Sequence, residues 1–343
     1  MRAAIRIGWV ALLALAISTA SSAKAGEGAD RSVTLRLATI APEGTAWARE
    51  LRAFARETER STEGAVKIKW YFGAIAGDEL QMGDRIRRGQ LDGAASGGPL
   101  CEQVAPSLRV LRVLGLITGH REAAYVAGRL RSQLVAEAQS RGMALLGIAP
   151  VGPHVIFSRR PIRSMAELKK LRVWVWDRDD VMRLELRNFG VPLSPMPIDQ
   201  AAAAYDQGRI DGFIAPPSVA LAFQWSAQAR YVSDLRMDMI SGCVLLSDRA
   251  FDPLSVDAKK AIASAGAKLS VRFEDVGAEE DAQLLGGLFA RQGVTTVPVD
   301  ATFAAEFFAL AQSVRDRLGD ALVPKPLMLR VQAILADYRA ENH

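Results

Sequence analysis

Short apolar runs alternate along this chain with longer segments in which apolar residues recur every three or four positions. The short runs at Val33–Thr39, Val66–Phe72, Leu91–Ala95, Met143–Ile148, His154–Ser158, Leu171–Trp176, Ile210–Ile214, Cys243–Leu246 and Thr295–Val297 predict β-strands. Helical spacing sets Trp47, Leu51 and Phe54 on one face of a helix over 45–60, with Thr45 as its N-cap. Further helices are predicted at Asp78–Arg88, through Cys101–Ser140 with breaks at Gly115 and Gly119, from Ser255 toward Leu288, and near 302–318 and 326–340. Strand-helix-strand order of this kind favours parallel pairing with right-handed crossovers. No internal repeat, low-complexity tract or flexible linker stands out, so domains joined by crossing strands are expected rather than domains on a tether.

Residues 1–25 break the pattern and predict a secretory signal. Arg2 and Arg6 precede an apolar run, Ile7–Ile17, and Ala23-Lys24-Ala25 offers a small-x-small cleavage site before Gly26. The run is too short for a bilayer span, which needs about 20 residues, and no later stretch is long enough. The expected product is an exported, periplasmic chain that does not itself span the membrane. Cleavage removes three positive charges (Arg2, Arg6 and Lys24) from the formal +5, leaving +2. That near balance, with no aromatic-interleaved basic stripe, argues against nucleic acid as a partner.

The remaining length, about 318 residues, suits two α/β domains. The expected division is 26–150 for the first lobe, 151–240 for the second, and 241–343 for a return strand, a long helix and C-terminal helices. Two cysteines, Cys101 and Cys243, would enter an oxidising compartment. Nothing in their spacing shows that they meet, and two buried, unpaired thiols are the favoured expectation.

Five short words point to a family. They are A-T-I-A-P-E-G-T-A-W-A at 38–48, Gly77-Asp78-Glu79, Arg88-Gly89-Gln90-Leu91-Asp92-Gly93-Ala94, the P-I…E-L-K-K-L-R-V-W-V segment at 161–175, and Tyr205-Asp206-Gln207-Gly208-Arg209-Ile210-Asp211-Gly212. In this order the chain resembles the solute-binding subunits of TRAP transporters, the tripartite ATP-independent periplasmic carriers of organic acids. The resemblance covers about 33–340 and implies a two-lobed periplasmic binding protein with a hinge. Such a protein would close on a small organic ligand in its cleft and dock on TRAP-type membrane subunits. A transport-independent ligand sensor, or a partner-protein subunit on the same fold, is the alternative.

Departures from the family pattern set the candidate site. Where the family carries an arginine that pairs with the substrate carboxylate, in the word P-I-x-x-x-x-D-L-K-G-L-K-I-R-V-P, this chain has Trp174. His154 stands where a second ligand-contacting arginine is common. Phe213-Ile214-Ala215-Pro216 replaces a Q-E-N-P word, putting Ala215 where a polar amide is usual. Tryptophan cannot reproduce a bidentate guanidinium–carboxylate contact, so a ligand more apolar or aromatic than a standard dicarboxylate is expected.

Trp174 and Trp176 share one strand face by alternation and would form either an aromatic wall or part of a core. Trp70, Phe72, Phe223 and Trp225 are further aromatic candidates, although aromatics at strand ends are more often core. Glu43, Thr45 and Glu79 border the family's cleft loops. Arg172, the nearest basic residue, is expected to face solvent; Asp177–Asp180 could reach the cleft mouth, but a solvated cap for the next helix is the favoured expectation. No catalytic residues, metal site or cofactor are predicted. The three histidines lack ligand spacing, the cysteines lack C-x-x-C, and no nucleophile-elbow, P-loop or dinucleotide word occurs.

Overall fold

The computed structural model describes residues 32–315, 317, 319–320 and 322–342. The signal segment predicted at 1–25 lies outside the described residues.

Eleven strands among the described residues form two sheets, one per lobe. The first lobe opens with β1 (Val33–Ala38), α1 (Ala46–Ser61), β2 (Val66–Tyr71), α2 (Glu79–Arg87) and β3 (Gly93–Ser96). Thr45 caps α1 by accepting from the Ala48 N–H, and Asp78 caps α2 in a reciprocal capping box with Gln81. The helix-rich passage divides into α3 (Pro99–Val104), a 3₁₀ turn at Pro106–Arg112, and α4 (His120–Gln139). β4 (Met143–Pro153) then runs through His154 into β5 (Val155–Ser158), the first crossing between lobes.

The second lobe continues with α5 (Met165–Leu168), β6 (Val173–Trp176), α6 (Asp180–Asn188), β7 (Leu193–Met196), α7 (Ala201–Asp206), β8 (Gly212–Ala215), α8 (Pro217–Ala222) and β9 (Tyr231–Ser233). β10 (Met239–Ser247) carries the chain back between β3 and β4, antiparallel to both. The single-turn α9 (Asp248–Phe251) and the long α10 (Val256–Gln283) follow. α10 ends in a π-turn, where Gly287 takes φ 140°, before α11 (Phe289–Arg291). β11 (Thr295–Val297) joins the second sheet, and α12 (Ala301–Arg315) and α13 (Lys325–Asn342) complete the described chain.

The strand orders are β2-β1-β3-β10-β4 and β11-β9-β5-β8-β6-β7. The two sheets share a plan: three parallel strands, then an antiparallel strand that crosses between lobes. They also share a corner that was not expected as a repeat. Arg36 Nε and Nη2 donate to the two carboxylate oxygens of Asp92, both at 2.9 Å, and Nη2 also to the Gly89 carbonyl. Arg172 does the same with Asp211, at 2.9 and 3.0 Å, and with the Gly208 carbonyl. In each case glycine follows the aspartate because the next strand passes too close for a side chain. A Cβ on Gly93 would lie 2.1 Å from the Leu245 carbonyl oxygen, and one on Gly212 would lie 2.5 Å from that of Phe157. Arg172 is half exposed, as expected.

The cysteines are paired, contrary to expectation. Cys101 on α3 and Cys243 on β10 form a disulfide, with Cα atoms 5.8 Å apart across a separation of 142 residues. The tertiary pairing of β10 with β3 brings them together, which spacing along the chain could not reveal.

Candidate functional site

A cavity of about 140 Å³ lies between the lobes, at the carboxyl ends of β1, β3, β6 and β8. This is where open parallel sheets place ligands. Its second-lobe wall is aromatic. Trp174 is buried, and its indole Nε1 donates to the Met196 carbonyl at 3.1 Å. Its ring meets Trp225 edge-on, with centroids 4.8 Å apart. Trp225 in turn stacks between Phe213 and Phe223, at 5.1 and 5.6 Å. Trp176 and Phe223 complete this wall, and Trp47 and Phe273 face it from the first lobe. Such stacks hold large flat surfaces in fixed orientation.

The polar groups on the wall are largely engaged by the protein itself. Glu79 is fully buried. Its Oε1 accepts from the Gly97 N–H at 2.9 Å, and its Oε2 accepts from the Ser96 hydroxyl and the Leu100 N–H. Burial pushes its carboxyl above the usual range, and these bonds only partly offset that. Arg112 is the one Lys or Arg on the wall among the described residues, and it is buried at 3% exposure. Nε donates to Asp238 Oδ2 at 3.2 Å, Nη1 to Glu102 Oε1 at 3.0 Å, and Nη2 to Asp179 Oδ2. Burial alone would favour losing its proton, but the three carboxylates outweigh burial and hold it charged.

His154 sits at the crossing from β4 to β5, with Nδ1 2.6 Å from Asp238 Oδ1. Burial works against ionising Asp238, yet His154 and then Arg112 hold its carboxyl below the usual range. An ionised Asp238 accepts, so Nδ1 carries the proton and donates. Nearby, Glu185 on α6 accepts from the Leu114 N–H at 2.9 Å, and burial pushes its carboxyl well above the usual range.

Five of the nine candidate residues meet on this wall: Trp174, Trp176, His154, Ala215 and Glu79. Four lie away from it. Phe213 is two residues before Ala215 on β8, sandwiched between Tyr205 and Trp225 in the second-lobe core. Glu43 points outward and pairs with Arg52 at 2.7 Å. Thr45 is spent on capping α1. Trp70 packs in the first-lobe core, with its Nε1 donating to the Leu51 carbonyl at 3.0 Å. Among the further aromatics, Phe223 and Trp225 line the cavity, while Phe72 is buried in the first-lobe core.

Asp179 does cap α6, accepting from the Met182 N–H at 3.0 Å, but it is buried rather than solvated. It also lines the cavity, the less favoured of the two expectations for it, whereas the place of Arg112 there was missed. The available signal was a pair of cations, Arg109 and Arg112, inside the otherwise apolar run S-L-R-V-L-R-V-L-G-L.

The sequence profile of the bacterial extracellular solute-binding protein family 7, DctP, matches residues 37–320. The chain belongs to this family. Its members are TRAP-type solute receptors of the periplasm, and ligand binding for transport is their role. A solute-binding protein of Verminephrobacter eiseniae is 26% identical over 274 residues, covering 74% of this chain and 80% of its own length. Two solved family receptors share the two-lobed fold. One is an extracytoplasmic solute receptor of Bordetella pertussis that binds pyroglutamic acid, with TM-score 0.79 and 19% identity over 88% of this chain and 100% of that one. The other is a sugar-acid-binding protein of Advenella mimigardefordensis in complex with galactonate, with TM-score 0.82 and 16% identity over 89% and 98%. These family members are receptors rather than enzymes. No helix among the described residues is long and apolar enough to cross a membrane.

Proposed function

We propose that this chain is a periplasmic receptor that captures a small organic ligand in the interlobe cavity and delivers it to TRAP-type membrane subunits. Its ligand is more apolar or aromatic than a dicarboxylate or sugar acid, and the receptor releases it unchanged. The observation that carries this reading is the pairing of a tryptophan-rich wall with an arginine already held by three protein carboxylates. The structural relatives bind pyroglutamic acid and galactonate, so a small organic molecule suits the fold. The cavity size fits a molecule built on one ring, since an apolar cavity of about 150 Å³ takes benzene. Trp174, Trp176, Phe223 and Trp225 would supply the flat contact, and His154 and Glu79 the polar ends.

Native mass spectrometry of protein purified from periplasm, with identification of the co-purified ligand, tests this. A bound single-ring or otherwise apolar molecule is expected, and Trp176→Ala should weaken its binding by about tenfold or more, as loss of a stacking partner implies. A polyhydroxylated acid or a dicarboxylate as the bound molecule would overturn the reading.

A further inference from the structure

Three carboxylates converge on Arg112, but only one shares the cavity wall with it. Arg112 and Asp179 both line the cavity wall, whereas Glu102 and Asp238 do not. Glu102 comes from α3 and Asp238 from the segment before β10, while Asp179 is delivered from the opposite lobe at the start of α6. Asp179 is fixed twice, by Arg112 Nη2 on one oxygen and by the Met182 N–H on the other.

We infer that Asp179 determines the specificity of the cavity: it is an internal carboxylate held on the guanidinium where an acidic ligand would otherwise pair. An arriving carboxylate would be the fourth on one guanidinium. It would have to sit beside Asp179 against like charge, or displace it and leave a buried carboxylate without its cation. Both routes are costly, so the cavity admits uncharged ligands. This deepens the function proposed above and rests on the cavity being the ligand site.

Acetate and benzamide separate the two ideas. Asp179→Ser keeps a helix-capping oxygen, removes the carboxylate and leaves room at Nη2. This variant should bind acetate about tenfold or more tightly than the unaltered protein, as a charge-assisted hydrogen bond implies. Its Tm should rise with added acetate and stay unchanged with chloride at equal ionic strength. Adding Arg112→Gln to the variant should abolish both effects. Asp179→Asn, which keeps the shape and the cap, serves if the serine variant does not fold, and should show the same gain in smaller degree by calorimetry.

Unchanged acetate affinity in both variants overturns the inference. Benzamide, a neutral ring, reports on the aromatic reading by itself. Benzamide binding without an acetate gain sinks the role of Asp179 alone. An acetate gain without benzamide binding upholds Asp179 and sinks the aromatic ligand.

Discussion

The two lobes are built on the same corner and use it to present different side chains. Arg36 with Asp92 and Arg172 with Asp211 make matching forks, and each glycine that follows pairs with the residue after the arginine: Leu37 with Gly93, and Val173 with Gly212. One step further along, the first lobe pairs Ala38 with Ala94, and the second pairs Trp174 with Phe213. A common backbone device thus carries two methyl groups in one sheet and two large aromatic rings in the other. The corner sets the register, and the next cross-strand pair is free to differ. The lobes also differ in bracing. The crossing strand of the first, β10, is joined covalently to α3, and its counterpart β5 has no cysteine.

Reduction of Cys101–Cys243 should be the largest perturbation, because it removes the first lobe's brace alone. For a separation of 142 residues the chain-entropy model gives about 5 kcal/mol. Unfolding with and without reductant measures the loss, and hydrogen exchange should show it concentrated around α3, β3 and β10. Equal loosening of both lobes would mean that the brace is shared.

The glycines come next. Gly93→Ala should cost about 3 kcal/mol and Gly212→Ala about 2 kcal/mol, on the scale of overpacking against immovable backbone, with the order set by the 2.1 and 2.5 Å approaches. Denaturant midpoints test the order, and a reversed one would mean that the second sheet yields less than the first.

The smallest effect separates the lobes least. At Asp211 the hydrogen bond from Arg172 lowers the carboxyl pKa. At Asp92 burial opposes the lowering, but the bonds from Arg36 prevail. A folded pKa below the unfolded value, about 3.9, gives stability that is present above that value and lost as pH falls through the folded one. Asp92→Asn and Asp211→Asn should therefore each flatten the acid limb of the Tm-versus-pH curve. An acid limb unchanged by both would remove the forks from the account of stability.

Much of this molecule was legible in its sequence. Period-two and period-3.6 patterns located the strands and the long helices, and the family words located Trp174 at the cavity. The repeated corner was present in the letters, G-Q-L-D-G at 89–93 and G-R-I-D-G at 208–212, but five residues mean little until their arginines are seen to fork alike. The charged cluster was less accessible. Glu102, Arg112, Asp179 and Asp238 come from four segments up to 136 residues apart, and no local pattern ties them. Phe213 was misplaced for a different reason. It shares a strand with Ala215, and a position two residues back from the strand end is enough to leave the cavity for the core.

The place of β10 between β3 and β4 has a consequence for the order in which the protein is completed. β3 is made by residue 96 and β4 by residue 153, yet neither gains its shared neighbour until 239–247 exist. Synthesis runs amino end first, so the first sheet stays divided until five strands of the second, β5 to β9, have been made. In the interval two strand edges stand open to wrong partners, and β5 to β9 of the second lobe have already emerged inside the loop that the two thiols later close. Their pairing then records that the late strand has found its gap.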